Sequence, residues 1–303
     1  VASLPDDERL ARAALTYIAQ PGDPTTHTMI GTLGPVEALD RLLTSTRRRT
    51  TGQPWQHSSP VRLARTRLHA ELVRLIVPGD FDWPDRLDQL AHLDTNATAT
   101  VGSPLAPPIA LWADGALPLS TALGQAVTIT GARACTAYGQ HVAADITTGC
   151  AQQGWTIVAG GSYGIEAAAH RAALANDTPT VAVIAGGLHR PHPAGNSALF
   201  DQIRRTGLLV SETPPDVDAT RPLFISRQRL LAALTDGTVL VEAAIRSSSL
   251  ITAKAALVLE KPTMAVPGAV TSALSAGCHH LLRDPRVRLV TDAADVFTVL
   301  GQR

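Results

Sequence analysis

The chain has 303 residues, 45% of them hydrophobic and 17% charged, with 26 basic and 26 acidic side chains and a net charge of +0. That length suits one or two domains, and that apolar content excludes a disordered chain. Balanced charge excludes a uniformly basic nucleic-acid coat but allows a local cationic patch.

Residues 1–75 read as a small helical domain. The acidic opening before Leu10 is unlike a secretory leader. Leu10, Ala13, Ala14, Tyr17 and Ile18 recur at helical spacing and stop at Pro21–Pro24. Val36, Leu39, Leu42 and Leu43 form a second set after Gly34–Pro35; Val61, Leu63, Leu68, Leu72 and Leu75 form a third after Pro60. The stretch between Thr44 and Pro60 is polar and aperiodic, and its Arg47–Arg49 run reads as a solvated face. Residues 76–120, rich in proline, aspartate and glycine, lead into a second domain spanning 76–303, with one short strand at Ile109–Trp112.

From Ala126 the pattern becomes a regular alternation. Apolar strands are predicted at Val127–Thr130, Thr156–Ala159, Val181–Ala185, Leu208–Ser211, Val239–Glu242, Met264–Pro267 and Val287–Val290. Helices are predicted at Gly139–Gln152, Ile165–Ala175, Asn196–Arg205 and Leu250–Leu259. Such alternation specifies βαβ units in a mainly parallel sheet covered on both faces, a Rossmann-like, doubly wound α/β domain. No run approaches the roughly eighteen apolar residues of a membrane span. Cys135, Cys150 and Cys278 form no C-x-x-C pair, which argues for buried thiols in a reducing cytoplasm and against a zinc site.

Ligands of open α/β sheets bind at the carboxyl ends of the strands. Those ends are rich in small residues here: Gly131-Ala132-Arg133, Gly160-Gly161-Ser162-Tyr163-Gly164, Gly186-Gly187, and Glu242 through Ser247-Ser248-Ser249. Free amides at such turns suit an anion such as phosphate. Arg227, Gln228 and Arg229, with Arg133, Arg171 and Arg246, could surround those turns with positive charge. Arginine forks well onto phosphate, and only Lys254 and Lys261 are lysines.

Missing motifs narrow the chemistry. There is no Walker loop for ATP hydrolysis, no G-x-G-x-x-G fingerprint for a nicotinamide cofactor, no G-x-S-x-G elbow, and no histidine pair with metal-ligand spacing. His279 and His280 are adjacent and so diverge, which suits packing or an interface. Glu166 and Glu242 lack a partner carboxylate in the sequence and are assigned to orienting arginines or capping helices.

Taken in order, these loops resemble the DprA/Smf family of DNA-processing proteins. Val127–Arg133 with Tyr138-Gly139 is similar to the family's first strand and turn. Ala159–Glu166 with His170, the Pro193–Asn196 turn, Ser211-Glu212, Phe224–Ala232, Glu242–Ala253, Val266–Gly268 and Leu274–Leu282 continue the likeness. Val77–Asp80 and Trp83-Pro84, with Gln20–Leu43, extend it toward the N-terminus. Departures from the family pattern are Ala132 for serine, Glu166 for aspartate, Gln228 for asparagine and Ser248 for glycine. A lysine frequent before the third strand is replaced near Thr178-Pro179.

The resemblance implies a helical, SAM-like N-terminal module before the Rossmann-like domain, with no C-terminal winged-helix domain after Arg303. It implies a cytoplasmic homodimer that binds and protects single-stranded DNA and loads RecA recombinase in recombination and natural transformation. No catalysis, cofactor or metal is expected. The DNA-binding set would be Gly131, Arg133, Gly161, Ser162, Tyr163, Gly164, Phe224, Arg227, Gln228, Arg229, Arg246, Ser247, Ser248, Ser249 and Thr252, with Tyr163 and Phe224 as stacking faces. His279, Leu281 and Leu282 would contribute to the dimer contact. The competing readings are a nucleotide-hydrolysing enzyme of the lysine-decarboxylase-like (LOG) group, whose P-G-G-x-G-T-x-x-E segment is absent, and a nucleotide-sensing module.

Overall fold

A computed structural model describes residues 6–45, 55–69 and 73–301; the Arg47–Arg49 run lies outside them. One mixed sheet organises the chain. Its strands are β1 (Arg74–Ile76), β2 (Leu111–Gly115), β3 (Ala126–Thr130), β4 (Thr156–Gly160), β5 (Thr180–Val183), β6 (Leu208–Ser211), β7 (Gly237–Leu240), β8 (Thr263–Ala265) and β9 (Val287–Leu289). Across the sheet they run β1-β2-β6-β5-β4-β3-β7-β8-β9. The seven strands from β3 to β9 pair in parallel, while β2 is antiparallel to β6 and β1 antiparallel to β2. All seven predicted strands from Ala126 onward form, with ends shifted by up to two residues, and Ile109–Trp112 moves on to Leu111–Gly115. Arg74–Ile76 was not predicted.

Strands β3 to β7 are buried at every residue, because helices cover both faces and leave no side for polar alternation. Helices Ala137–Gln152, Ile165–Ala175, Ser197–Thr206 and Ser249–Val258 follow the predicted spans closely. Thr136 starts the first of these, its hydroxyl accepting from the Gly139 amide.

At the N-terminus, helix Asp6–Leu15 buries Leu10, Ala11 and Ala13–Leu15 against helices Pro35–Ser45 and Ser59–His69. This apolar face merges with Trp112 of β2 and with Phe200 and Ile203 of helix Ser197–Thr206. A helix absent from the sequence reading, Pro24–Leu33, begins where Asp23 accepts from the Thr25 and Thr26 amides and proline occupies its first position. Among the described residues no helix is long and apolar enough to cross a membrane.

Candidate functional site

The strand order reverses at β3, with β4, β5 and β6 built to one side and β7, β8 and β9 to the other. The carboxyl ends of β3 and β7 therefore diverge there and open a crevice, the usual ligand position in such sheets. The two rims are tied together because the Ala132 amide donates to the Glu242 carbonyl at 2.7 Å. The cleft, of about 330 Å³, is lined by Thr130–Ala134 on one rim and Ala244 with Arg246–Ser249 on the other. Ser162, Glu166, Arg227 and Gln228 contribute its remaining polar groups.

Buried charge forms the floor. Arg227 and Glu166 are each 4% exposed in their side chains and lie 3.7 Å apart. Glu166 also accepts from the Thr130 hydroxyl and the Ser162 amide, both at 3.0 Å, and Arg227 donates to the Val183 carbonyl at 3.0 Å. Burial alone would raise the Glu166 carboxyl, but Arg227 and these donors outweigh it and hold it below the usual carboxylate range. Burial draws the Arg227 guanidinium below its ordinary value, with Glu166 opposing. The pair packs onto β4 so closely that a Cβ on Gly160 would lie 2.5 Å from both. Behind that glycine, His170 is fully buried between the Thr180 hydroxyl and the Gly160 carbonyl. Burial lowers its pKa to about 4, so it is neutral. These carboxylates position neighbouring groups: Glu242 likewise accepts from the Thr136 amide and hydroxyl at 2.9 and 2.6 Å.

Above this floor the charge is exposed. The guanidinium of Arg133 lies 5.1 Å from the Phe224 ring centroid, and that of Arg227 lies 5.6 Å from it. His192 meets the same ring edge-on at 5.6 Å. A second cleft of about 600 Å³ continues the first, sharing Arg133, Arg246, Ser247 and Ser248 and adding Arg221 and Lys254. Arg133, Arg221, Arg246 and Lys254 are all exposed and form no ion pair with another described residue. Glu166, already matched by Arg227, is the sole carboxylate among the described lining of either cleft.

Several predicted site residues fall elsewhere. Arg229 is wholly buried: it donates to the Ala106 and Ser226 carbonyls and pairs with Glu212 at 2.7 Å, leaving nothing to offer a ligand. Gln228 and Thr252 are buried against each other, although Gln228 still borders the cleft. Gly161 packs against Phe200 and Ile184 and does not reach the crevice. Gly164 has φ +75°, and a Cβ there would lie 2.3 Å from the Ala132 carbonyl; it closes the two loops together and leaves no opening between them.

Tyr163 is 48% exposed but lies against Gly195, outside the cleft lining. Phe224 is half-buried beneath Arg133 and Arg227 and lines the second cleft, not the first. Arg171 lies beside Asp177 and Arg205, away from the crevice. The expected row of free amides is also shorter. Those of Ser162, Ser247 and Ser249 are engaged internally, whereas those of Gly131, Arg133 and Ser248 bond to no other described residue. Gly186 and Gly187 are packed beneath Ala219 and Pro214-Pro215. Of the three interface candidates, Leu281 is buried in a core cluster, Leu282 is half-buried, and His279 is held by the Gly268 carbonyl at 3.0 Å.

Arg221 and Lys254 were missed. Lys254 stands on the exposed face of helix Ser249–Val258, and as one of two lysines in the chain it was the available signal.

Comparison with known proteins agrees with this architecture. A chain of Mycobacterium tuberculosis that carries the name DNA processing protein DprA is 41% identical over 304 residues, covering 98% of this chain and 76% of that relative. The DNA processing protein DprA of Bacillus subtilis is 33% identical over 197 residues, covering 65% of this chain and 66% of its own. Among solved structures, DprA from Streptococcus pneumoniae superposes with a TM-score of 0.75 at 24% identity, covering 99% of both chains. DprA from Helicobacter pylori, a structure described for its single-stranded DNA binding mode, superposes with a TM-score of 0.63 at 23% identity, covering 75% of this chain and 95% of that one. The family described as DNA recombination-mediator protein A matches residues 74–301, and the chain belongs to it.

Proposed function

We propose that the chain binds single-stranded DNA along the groove from Arg227 to Lys254, protects it, and presents it to RecA recombinase during recombination and natural transformation. It works in the cytoplasm as a homodimer, without a cofactor and without catalysing a reaction, on a Rossmann-like domain preceded by a SAM-like helical module. The observation that carries this reading is a continuous groove lined by four exposed cations with no carboxylate partner among the described residues. A polyanion supplies the missing counter-charge, and free amides at Gly131, Arg133 and Ser248 add donors to phosphate oxygens. Few aromatic faces are open, so phosphate contact dominates and sequence preference is slight.

An oligothymidylate titration beside a duplex control tests it. If each of the four cations neutralises one phosphate, a single-strand slope of about −0.7 per phosphate gives roughly fifty-fold weaker binding from 50 to 200 mM salt. Salt-independent affinity, or tighter binding of the duplex, refutes the reading. Loading of RecA is tested by strand-exchange assays on DNA coated with single-strand-binding protein, where the chain should shorten the lag.

A further inference from the structure

The cationic groove does not end at Arg221. On the far side of the short helix Arg221–Ser226 lies a third cleft of about 530 Å³, walled by Ala19, Pro21, Pro104, Pro214, Val217 and Leu223. It shares Thr220, Arg221 and Ile225 with the cationic groove, so the helix is a ridge between them. Phe224 faces the arginines, whereas Leu223 and Ser226 face the far side. Charge changes abruptly across this ridge: Arg221 is the sole charged residue among the described lining of the third cleft. Its walls come from the N-terminal helical region, from the Pro104 stretch before β2 and from the segment after β6. The first is joined to the third where the Tyr17 hydroxyl meets Asp216 at 2.8 Å, and to the second where the Ala106 amide meets the Gly22 carbonyl at 3.2 Å.

We propose that this cleft receives an unstacked nucleobase of the same strand whose phosphates lie in the groove. The proposal rests on the DNA-binding reading above. A strand held by its phosphates at Arg246, Lys254 and Arg221 must place its bases somewhere, and the apolar surface continuous with those cations is this one. Flat base faces suit proline and aliphatic walls, and Gln20 at the rim offers both a donor and an acceptor to a base edge. The volume lies in the range of small-ligand sites. The N-terminal helical region would thereby take a direct part in holding DNA.

The test uses the full chain, oligothymidylate, and an abasic strand with the same number of phosphates. Oligothymidylate should bind about tenfold more tightly than the abasic strand. Leu223→Ala should remove most of that difference without changing the salt slope, since no phosphate contact is lost. Photocrosslinking of a 5-iodouracil strand to the unaltered chain should label peptides from 16–21 and 213–223, a readout that stands even if the variant fails to fold. Crosslinks confined to residues 130–136 and 244–254, or equal affinity for both strands, overturn the proposal. So does a Leu223→Ala chain that changes sedimentation but not DNA affinity, which would assign the cleft to a second copy. Failure of the underlying reading looks different: Arg133→Ala with Arg246→Ala would then leave affinity and salt slope unchanged.

Discussion

Replacing Arg229 by alanine separates structure from binding. In the sequence Arg227 and Arg229 look equivalent, two cations flanking an amide, and removing both is the obvious way to disable a DNA site. The structure makes the pair unequal. Arg229 is 0% exposed, lies 2.7 Å from Glu212, and satisfies the carbonyls of Ala106 and Ser226. Glu212 is itself buried, and its second carboxylate oxygen accepts from no described residue. Truncating Arg229 strands that charge together with two carbonyls.

Breaking one side of a buried pair costs about 3–5 kcal/mol. That is a large part of the roughly 5–15 kcal/mol that holds a typical domain. The expected outcome in urea unfolding followed by circular dichroism is a lower midpoint at unchanged slope. Arg229→Met with Glu212→Leu should recover part of the loss, because no unpaired charge then remains. Arg133→Ala, at an exposed site, should leave the midpoint within about 0.5 kcal/mol while weakening DNA binding. If Arg229→Ala keeps its midpoint and loses DNA instead, the assignment of Arg229 to the core is wrong.

Three further outcomes follow from the same geometry. Gly164→Ala forces a side chain into a left-handed position facing the Ala132 carbonyl, so it should destabilise by at least about 2 kcal/mol in the same urea assay and disturb the Arg133 rim. His170 has a folded pKa of about 4 against 6.5 for the free group, so the unfolded chain binds the extra proton between these values. Its contribution, about 3 kcal/mol, is complete above pH 6.5 and is lost as the pH falls toward 4; a urea midpoint flat over that window would refute it. Phe224→Leu keeps an apolar contact but removes the ring under Arg133; a cation–π contribution of about 0.5–1 kcal/mol predicts two- to fivefold weaker DNA binding with the salt slope retained.

The parallel strands were legible because a strand covered on both faces must be apolar throughout, and its helices carry their own period. Helix Ile165–Ala175 was legible to the residue. Where strand ends slipped, hydrophobicity was reporting burial, which continues past the assigned strand. Val241 and Glu242 are buried past the assigned end of β7, where the Val241 amide still donates to the Thr130 carbonyl and the Glu242 carbonyl accepts from Ala132. Strand β1 was missed because three residues at an antiparallel edge carry no period, and Leu75 fitted the preceding helical spacing. Helix Pro24–Leu33 buries just Thr26 and Ile30, so its apolar stripe is faint. Its signature was the Asp23–Pro24 start, which was read as a stop.

The site was legible in its location and not in its membership. Small residues at the ends of β3 and β7 mark where backbone must approach closely, and that is where the crevice opens. Whether a glycine there opens space for a ligand or for another part of the protein depends on residues distant in sequence. Gly160 makes room for the Arg227–Glu166 pair, and Gly164 for the Ala132–Arg133 backbone. The arginines sort in the same way. Arg229 is claimed by Glu212 and Ala106, which share no local pattern with it, whereas Arg133 stays free because Phe224 supports it without neutralising it.

A net charge of zero is compatible with binding a polyanion because of how the charges are distributed. Away from the groove, several cations are matched locally: Arg9 with Asp80, Arg86 with Asp236, Arg204 with Asp114 and Asp201, and Arg286 with Asp284. Each such pair cancels within a few ångströms, so beyond the screening length of about 10 Å at 0.1 M salt it contributes little field. Arg133, Arg221, Arg246 and Lys254 have no such partner among the described residues, and the floor beneath them is internally neutral. The potential felt by an approaching strand is therefore set by the groove and not by the sum over the chain. Adding surface carboxylates far from the groove should leave single-strand affinity almost unchanged, while a single Ser248→Asp, placed between the cations and beside a free amide, should lower it sharply.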